Sequence, residues 1–144
     1  KCVSLLLNAG AEKNTTNLYG DTALIWAASN GHEKCLSLLL DVGAEKNTTN
    51  LYGNTALICA VSYGQDNCVS LLLGAGAEKN IKNKDGNTAL MFAAQDGNAK
   101  CVELLLGTGD ISEEDRTAAL EIATIGNHIE CVDLLEKRKR TKKN

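Results

Sequence analysis

Cysteine recurs at positions 2, 35, 68 and 101, and the triplet Thr-Ala-Leu recurs at 22–24, 55–57 and 88–90, both on a period of 33 residues. The run Gly-Ala-Glu-Lys-Asn recurs at 10–14, 43–47 and 76–80, again on that period. Segments 17–49 and 50–82 agree at most positions in register. Self-similarity at a fixed period of this size marks an array of small units, each packing only on its neighbours. The 144 residues therefore count units, a little over four of them, and do not describe one conventional globular core.

One period has a direct physical reading. Thr22 is a good N-cap, and Ala23 to Ser29 are mostly strong helix formers. Gly31 can take the left-handed conformation that ends this first helix. A second helix is predicted from about Glu33 to Leu40, where Cys35, Leu36, Leu39 and Leu40 share an apolar face. Gly43 ends it. Ala44 to Gly53 has low helix propensity, and Asn50-Leu51-Tyr52-Gly53 reads as a tight turn. Each period is thus a short helix pair followed by an extended finger. Two helices of about two turns do not bury their apolar faces alone, so the periods must stack.

These residues carry a family resemblance. Gly20-Asp21-Thr22-Ala23-Leu24-Ile25-Trp26-Ala27-Ala28, then Gly31-His32, Leu38-Leu39-Leu40 and Gly43-Ala44-Glu45-Lys46-Asn47, are similar to the 33-residue ankyrin repeat. The pattern continues through Gly53 to Asn80 and Gly86 to Gly109. The family's usual Pro is Ala at 23, 56 and 89, and its usual His is Ile25, Ile58 and Met91. Those changes keep the packing and remove a rigid turn and a polar helix-start network. The resemblance implies an all-α ankyrin-repeat solenoid, with stacked helix-turn-helix units joined by β-hairpin-like fingers.

The array is expected to occupy residues 1–136, with a partial unit at 1–16, units at 17–49, 50–82 and 83–112, and a divergent unit at 113–136. The partial unit supplies only a second helix and finger, whose packing face (Val3, Leu6, Leu7) implies a neighbour upstream. The chain thus reads as a piece of a longer array. At the other end the period shortens and the finger loses its glycine. Ser112-Glu113-Glu114-Asp115 looks like a helix start, with acids favouring the positive end of the helix dipole. Register returns at Leu120, Ala123, His128, Cys131 and Leu134-Leu135, as in a capping unit or one irregular repeat.

Charge separates body from tail. Six of the 15 Lys and Arg lie in residues 137–144, which hold no acid, so the remaining nine face 18 Asp and Glu. An acidic body argues against nucleic acid as the partner, because phosphate binding needs clustered positive charge. The basic tail reads as a solvated extension of the last helix, a nuclear-import address, or a contact for anionic lipid or nucleic acid. No apolar run approaches the roughly 20 residues that cross a bilayer.

Chemistry finds little purchase in the sequence. The cysteines fall one to a layer, with no Cys-x-x-Cys pair, and read as a ladder of small buried residues without metal or disulfide. Packed helices sit about 8–10 Å apart, beyond the roughly 4–7 Å Cα separation that a disulfide needs. His32 and His128 sit where second helices begin, which predicts capping or loop-tying rather than base catalysis. There is no Gly-rich phosphate loop, no His-Glu-x-x-His and no Gly-x-Ser-x-Gly. No catalytic, metal-binding or cofactor-binding residue is assigned. Asn14 and Asn47 match an N-glycosylation pattern but also fall at the family's repeat-end Asn, whose side chain ties the finger. Trp26, Cys59 and Phe92 share one equivalent position and are expected in the core.

The resemblance further implies that partners bind at finger tips and along the concave face of the first helices. In this sequence those positions are Leu18, Tyr19, Asp21, Ser29 and Asn30; Leu51, Tyr52, Asn54, Ser62 and Tyr63; and Lys84, Asp85, Asn87, Gln95 and Asp96. Two consecutive Leu-Tyr tips stand out, since tyrosine is a common interface anchor. The inert alternative has each Tyr packing on its neighbour's finger. The expected function is a non-catalytic, monomeric protein–protein interaction scaffold inside the cell. The alternatives are the regulatory or targeting arm of a larger protein, such as one with a protein kinase domain, and a mechanical tether.

Overall fold

A computed structural model describes residues 18–109 and 111–143, with the side chains of 137–143 excepted. The partial unit expected at 1–16, with Cys2 and Asn14, lies outside the described residues, as do the side chains of the basic tail. Eight helices follow one another among those described: α1 (Ala23–Asn30), α2 (Glu33–Asp41), α3 (Ala56–Ser62), α4 (Asp66–Gly74), α5 (Ala89–Asp96), α6 (Ala99–Gly107), α7 (Glu113–Ile125) and α8 (Ile129–Lys143).

Local chemistry starts each pair. The Thr22, Thr55 and Thr88 hydroxyls accept from the amides of Ile25, Ile58 and Met91 at 3.2, 3.2 and 3.3 Å. Each bond satisfies one of the amides a helix start leaves open. Gly31 follows α1 at φ 74°, the left-handed cap expected of it. Ser112 likewise accepts from the Asp115 amide at 3.1 Å and opens α7 where the acidic run predicted a start.

The pairs then stack in two layers. Helices α1, α3, α5 and α7 pack in succession, and α2, α4, α6 and α8 form the second layer beside them. Between the layers runs one apolar core: Leu24, Leu36, Leu57, Leu72, Leu90, Leu105 and Leu135 are all essentially inaccessible. Ile25, Ile58 and Met91, which replace the usual His, are buried too. The packing reading of those replacements stands.

The fingers have a scaffold of their own. Asn50 accepts from the amides of Tyr52 and Asn54 through its side-chain oxygen, at 2.9 and 3.0 Å. Asn83 does the same for Asp85 and Asn87, both at 3.0 Å. Their side-chain amides donate to the preceding finger, Asn50 to Asp21 and Asn83 to Asn54, each at 2.9 Å. The repeat-end Asn47 accepts from the Glu78 amide in the next unit at 2.9 Å.

Three expectations need correction. Trp26 is 45% exposed, whereas Cys59 at the equivalent position is 5% exposed and Phe92 is half-buried. That slot takes a thiol; an indole is too large for it, projects out, and stacks on His32 with ring centroids 4.9 Å apart. His32 accordingly makes no capping hydrogen bond, although it stands at the N-cap of α2. The cysteine ladder is also incomplete as a set of thiols. Cys59, Cys68, Cys101 and Cys131 are free and buried, but Cys35 is disulfide-bonded. The separation of about 8–10 Å is between helix axes, whereas disulfide reach is measured between Cα atoms. Cα atoms lie about 2.3 Å off each axis, so facing residues on packed helices fall within disulfide reach.

Candidate functional site

The finger turns and the C-terminal ends of the first helices enclose a groove of about 500 Å³ across the first two described units. Its wall on the finger side comes from Tyr19, Asp21, Asn50, Tyr52 and Asn54. Its helix side comes from Trp26, Ser29 and Asn30 on α1, and from Cys59, Ser62 and the adjoining Tyr63 on α3. Eight of the fifteen positions expected on the partner face therefore meet in one concavity.

The other seven lie outside it. Leu18 and Leu51 stand at the tips, 92% and 58% exposed. Lys84, Asp85, Gln95 and Asp96 are exposed and Asn87 is half-buried, all on the third unit. Trp26, Asn50 and Cys59 complete the groove although sequence reasoning did not place them there. For Asn50 a signal existed: Asn17, Asn50 and Asn83 recur on the same 33-residue period.

Backbone bonds hold the tips, and this leaves the rings accessible. The Leu51 amide donates to the Tyr19 carbonyl at 3.0 Å, and the Lys84 amide to the Tyr52 carbonyl at 3.1 Å. The Leu-Tyr tip is thus tied by its main chain to the next finger. Tyr19, Tyr52 and Tyr63 remain 58%, 57% and 67% exposed. A tyrosine sunk into its neighbour's finger would not be so accessible.

The groove's chemistry is aromatic and polar, with one charge. Among its lining residues only Asp21 carries a formal charge. Asp21 is held in place by the Asn50 amide at 2.9 Å. Burial pushes the Cys59 thiol up to about 11, with the Ser29 hydroxyl offsetting part of that rise. Cys59 is therefore a neutral thiol at neutral pH, and thiolate chemistry needs the opposite shift. Among the described residues no group of three or more His, Cys, Asp or Glu is placed to hold a metal ion. No helix among them is long and apolar enough to cross a membrane.

The two histidines differ. His128 Nε2 lies 3.1 Å from the Gln95 carbonyl oxygen. A carbonyl only accepts, so the bond needs the proton on Nε2. His128 ties one unit to the next, as its position predicted. Gln65 does the same from the equivalent site, donating to the Ser29 carbonyl at 3.1 Å.

The family model for ankyrin repeats (3 copies) matches residues 1–83 and 68–144. A search of curated proteins finds no match. Ankyrin repeats are in general protein–protein interaction modules, typically without catalysis of their own. The helix pairs, the tied fingers and the family match agree, and the chain belongs to the ankyrin-repeat family.

Proposed function

We propose that this chain is a binding scaffold whose groove and finger tips hold a segment of a partner protein. One observation carries the reading. The chain has five aromatic residues, and four of them (Tyr19, Trp26, Tyr52 and Tyr63) line one open groove. Each of those four is at least 45% exposed. Burying aromatic rings stabilises a fold, so a chain poor in them gains most by using them in its core. Here they collect at the surface instead, on rigid elements, in the residue types that anchor interfaces. Serine and asparagine between the rings supply adaptable hydrogen bonds. A rigid concave face of this kind binds without reordering, which limits the entropy lost on association.

The test is a double substitution, Tyr19→Ala with Tyr52→Ala. Both side chains are more than half exposed, and the finger bonds they flank use main-chain atoms. The variant should keep its helical circular dichroism and lose capture of the partner in a pull-down. Undiminished capture would remove this face from consideration. The alternative role, as the regulatory or targeting arm of a larger protein, is decided by the full reading frame.

A further inference from the structure

We infer that the aromatic groove receives a lysine or arginine side chain from a basic segment of the partner protein. This rests on the reading of the face as protein-binding and specifies what the face selects.

Three observations converge. Aromatic rings attract cations through their negative faces, and arginine also stacks on them. Tyr19, Tyr52, Tyr63 and Trp26 surround the same space. Second, the one charged group in that lining is the Asp21 carboxylate, fixed by Asn50, and no Lys, Arg or His lines the groove. A cation entering it meets the Asp21 carboxylate and no like charge among the lining residues, with His32 outside the lining and stacked on Trp26. An acidic segment would meet Asp21 with nothing to balance it. Third, the net charge of the body has the same sign. Beyond the basic tail the chain carries 18 acids against nine bases, so a basic segment is drawn in while an acidic one is repelled. The groove's size suits one long side chain with part of its backbone. The neutral Cys59 thiol at its floor adds no competing charge.

Trp26 is the chain's only tryptophan and lines the groove, so its fluorescence reads occupancy directly. The probes are blocked seven-residue Gly/Ser peptides with a single central Arg, citrulline or Glu. Citrulline keeps the shape of arginine and removes the charge. The Arg peptide should change Trp26 emission and bind about fivefold more tightly than the citrulline peptide, with the Glu peptide weakest. Raising the salt concentration should narrow that preference. Asp21→Asn keeps an oxygen to accept from Asn50 and should reduce the Arg preference by roughly twofold to fivefold. Equal binding of the Arg and citrulline peptides, tighter binding of the Glu peptide, or no response to any of them overturns the inference.

The two readings fail separately. If the double tyrosine variant loses partner capture while Arg and citrulline bind alike, the face binds protein without selecting a cation. If capture survives that variant while the Arg preference persists, the groove selects cations but does not hold the partner.

Discussion

Between the second and third fingers the Lys84 amide reaches the Tyr52 carbonyl at 3.1 Å, and the Asn83 side chain reaches Asn54 at 2.9 Å. After the helix pair that follows the third finger the chain takes another course. It enters α7 at Glu113, and α7 runs for 13 residues where α1, α3 and α5 run for 8, 7 and 8. The junction from α5 to α7 is made by helix packing, with Lys82 of the third finger 3.8 Å from Asp115. The two junctions share a layer geometry and differ in what fills the finger side. The first fingered junction carries the groove and its aromatic wall; the second shares its finger bonds without the groove, and the last junction carries neither among the described residues. Stacking and the groove are thus separable properties of the repeat, set by different positions along it.

The sharpest way to break that comparison is a pair of glycines at equivalent positions. Gly53 has φ 79° and Gly86 has φ 82°, both in the region L side chains rarely adopt. A Cβ at Gly53 would lie 2.8 Å from the Lys84 amide nitrogen of the next finger, whereas one at Gly86 would meet nothing within 4 Å. Gly86→Ala should cost only the conformational term, about 1 kcal/mol. Gly53→Ala adds a backbone clash that cannot be relieved by a rotamer change, and should cost about 3 kcal/mol or more. Urea titration of both variants measures the gap. Equal costs would mean that the finger-to-finger contact is not part of what holds the array together.

A smaller effect separates the junctions on the side of the second helices. At the first and last of them a side chain reaches a carbonyl, Gln65 to Ser29 and His128 to Gln95. At the middle one Asn98 donates to Asp66 at 3.0 Å, and the Cys101 thiol also donates to Asp66 at 3.2 Å. Burial pushes the Cys101 thiol up to about 12, helped by its bond to Asp66 and by the Asp66 and Asp96 charges. The folded protein therefore keeps this proton at pH values where the unfolded chain, with an ordinary thiol near 9, has lost it. Stability from this group is undiminished below pH 9 and falls as pH rises from 9 towards 12. The slope approaches about 1.4 kcal/mol per pH unit. Cys101→Ala keeps the Asn98–Asp66 bond and should flatten that limb of a stability-against-pH curve relative to wild type. Parallel curves would show that Cys101 is not held as this junction requires.

Much of this was legible in sequence because a period states which residues are equivalent. Thr22 as an N-cap, Gly31 as a helix stop, the helix start at Ser112 and the two-layer stack all follow from local propensity repeated in register. Equivalence does not state fit. Trp26 and Cys59 occupy one position, yet the slot covers a thiol and leaves an indole 45% exposed. Nor does the period show which unlike residues meet across a junction. Asp66 and Cys101 are 35 residues apart, an offset set by how one unit sits on the next. The groove was half legible for the same reason. Its finger and helix-end positions follow from the motif, while Trp26 and Cys59 entered it through side-chain size.

The finest distinction concerns the salt bridge at the last junction, between Lys82 and α7. Lys82 Nζ lies 3.8 Å from the Asp115 carboxylate, with the lysine about half exposed and the aspartate largely covered. If this pair did the work of the finger-to-finger bonds, removing it would cost as much as they contribute. Two features argue that it does not. At 3.8 Å a half-exposed ammonium is screened by water, and such pairs contribute between nothing and about 1 kcal/mol. Asp115 also stands in the first turn of α7, where the helix dipole stabilises a carboxylate without help from Lys82. Lys82→Met should therefore change stability by less than about 0.5 kcal/mol, and added salt should shrink the difference further. A loss near 2 kcal/mol would make the pair a structural substitute for a finger. A small one leaves apolar packing of α5 on α7 as what joins these two units.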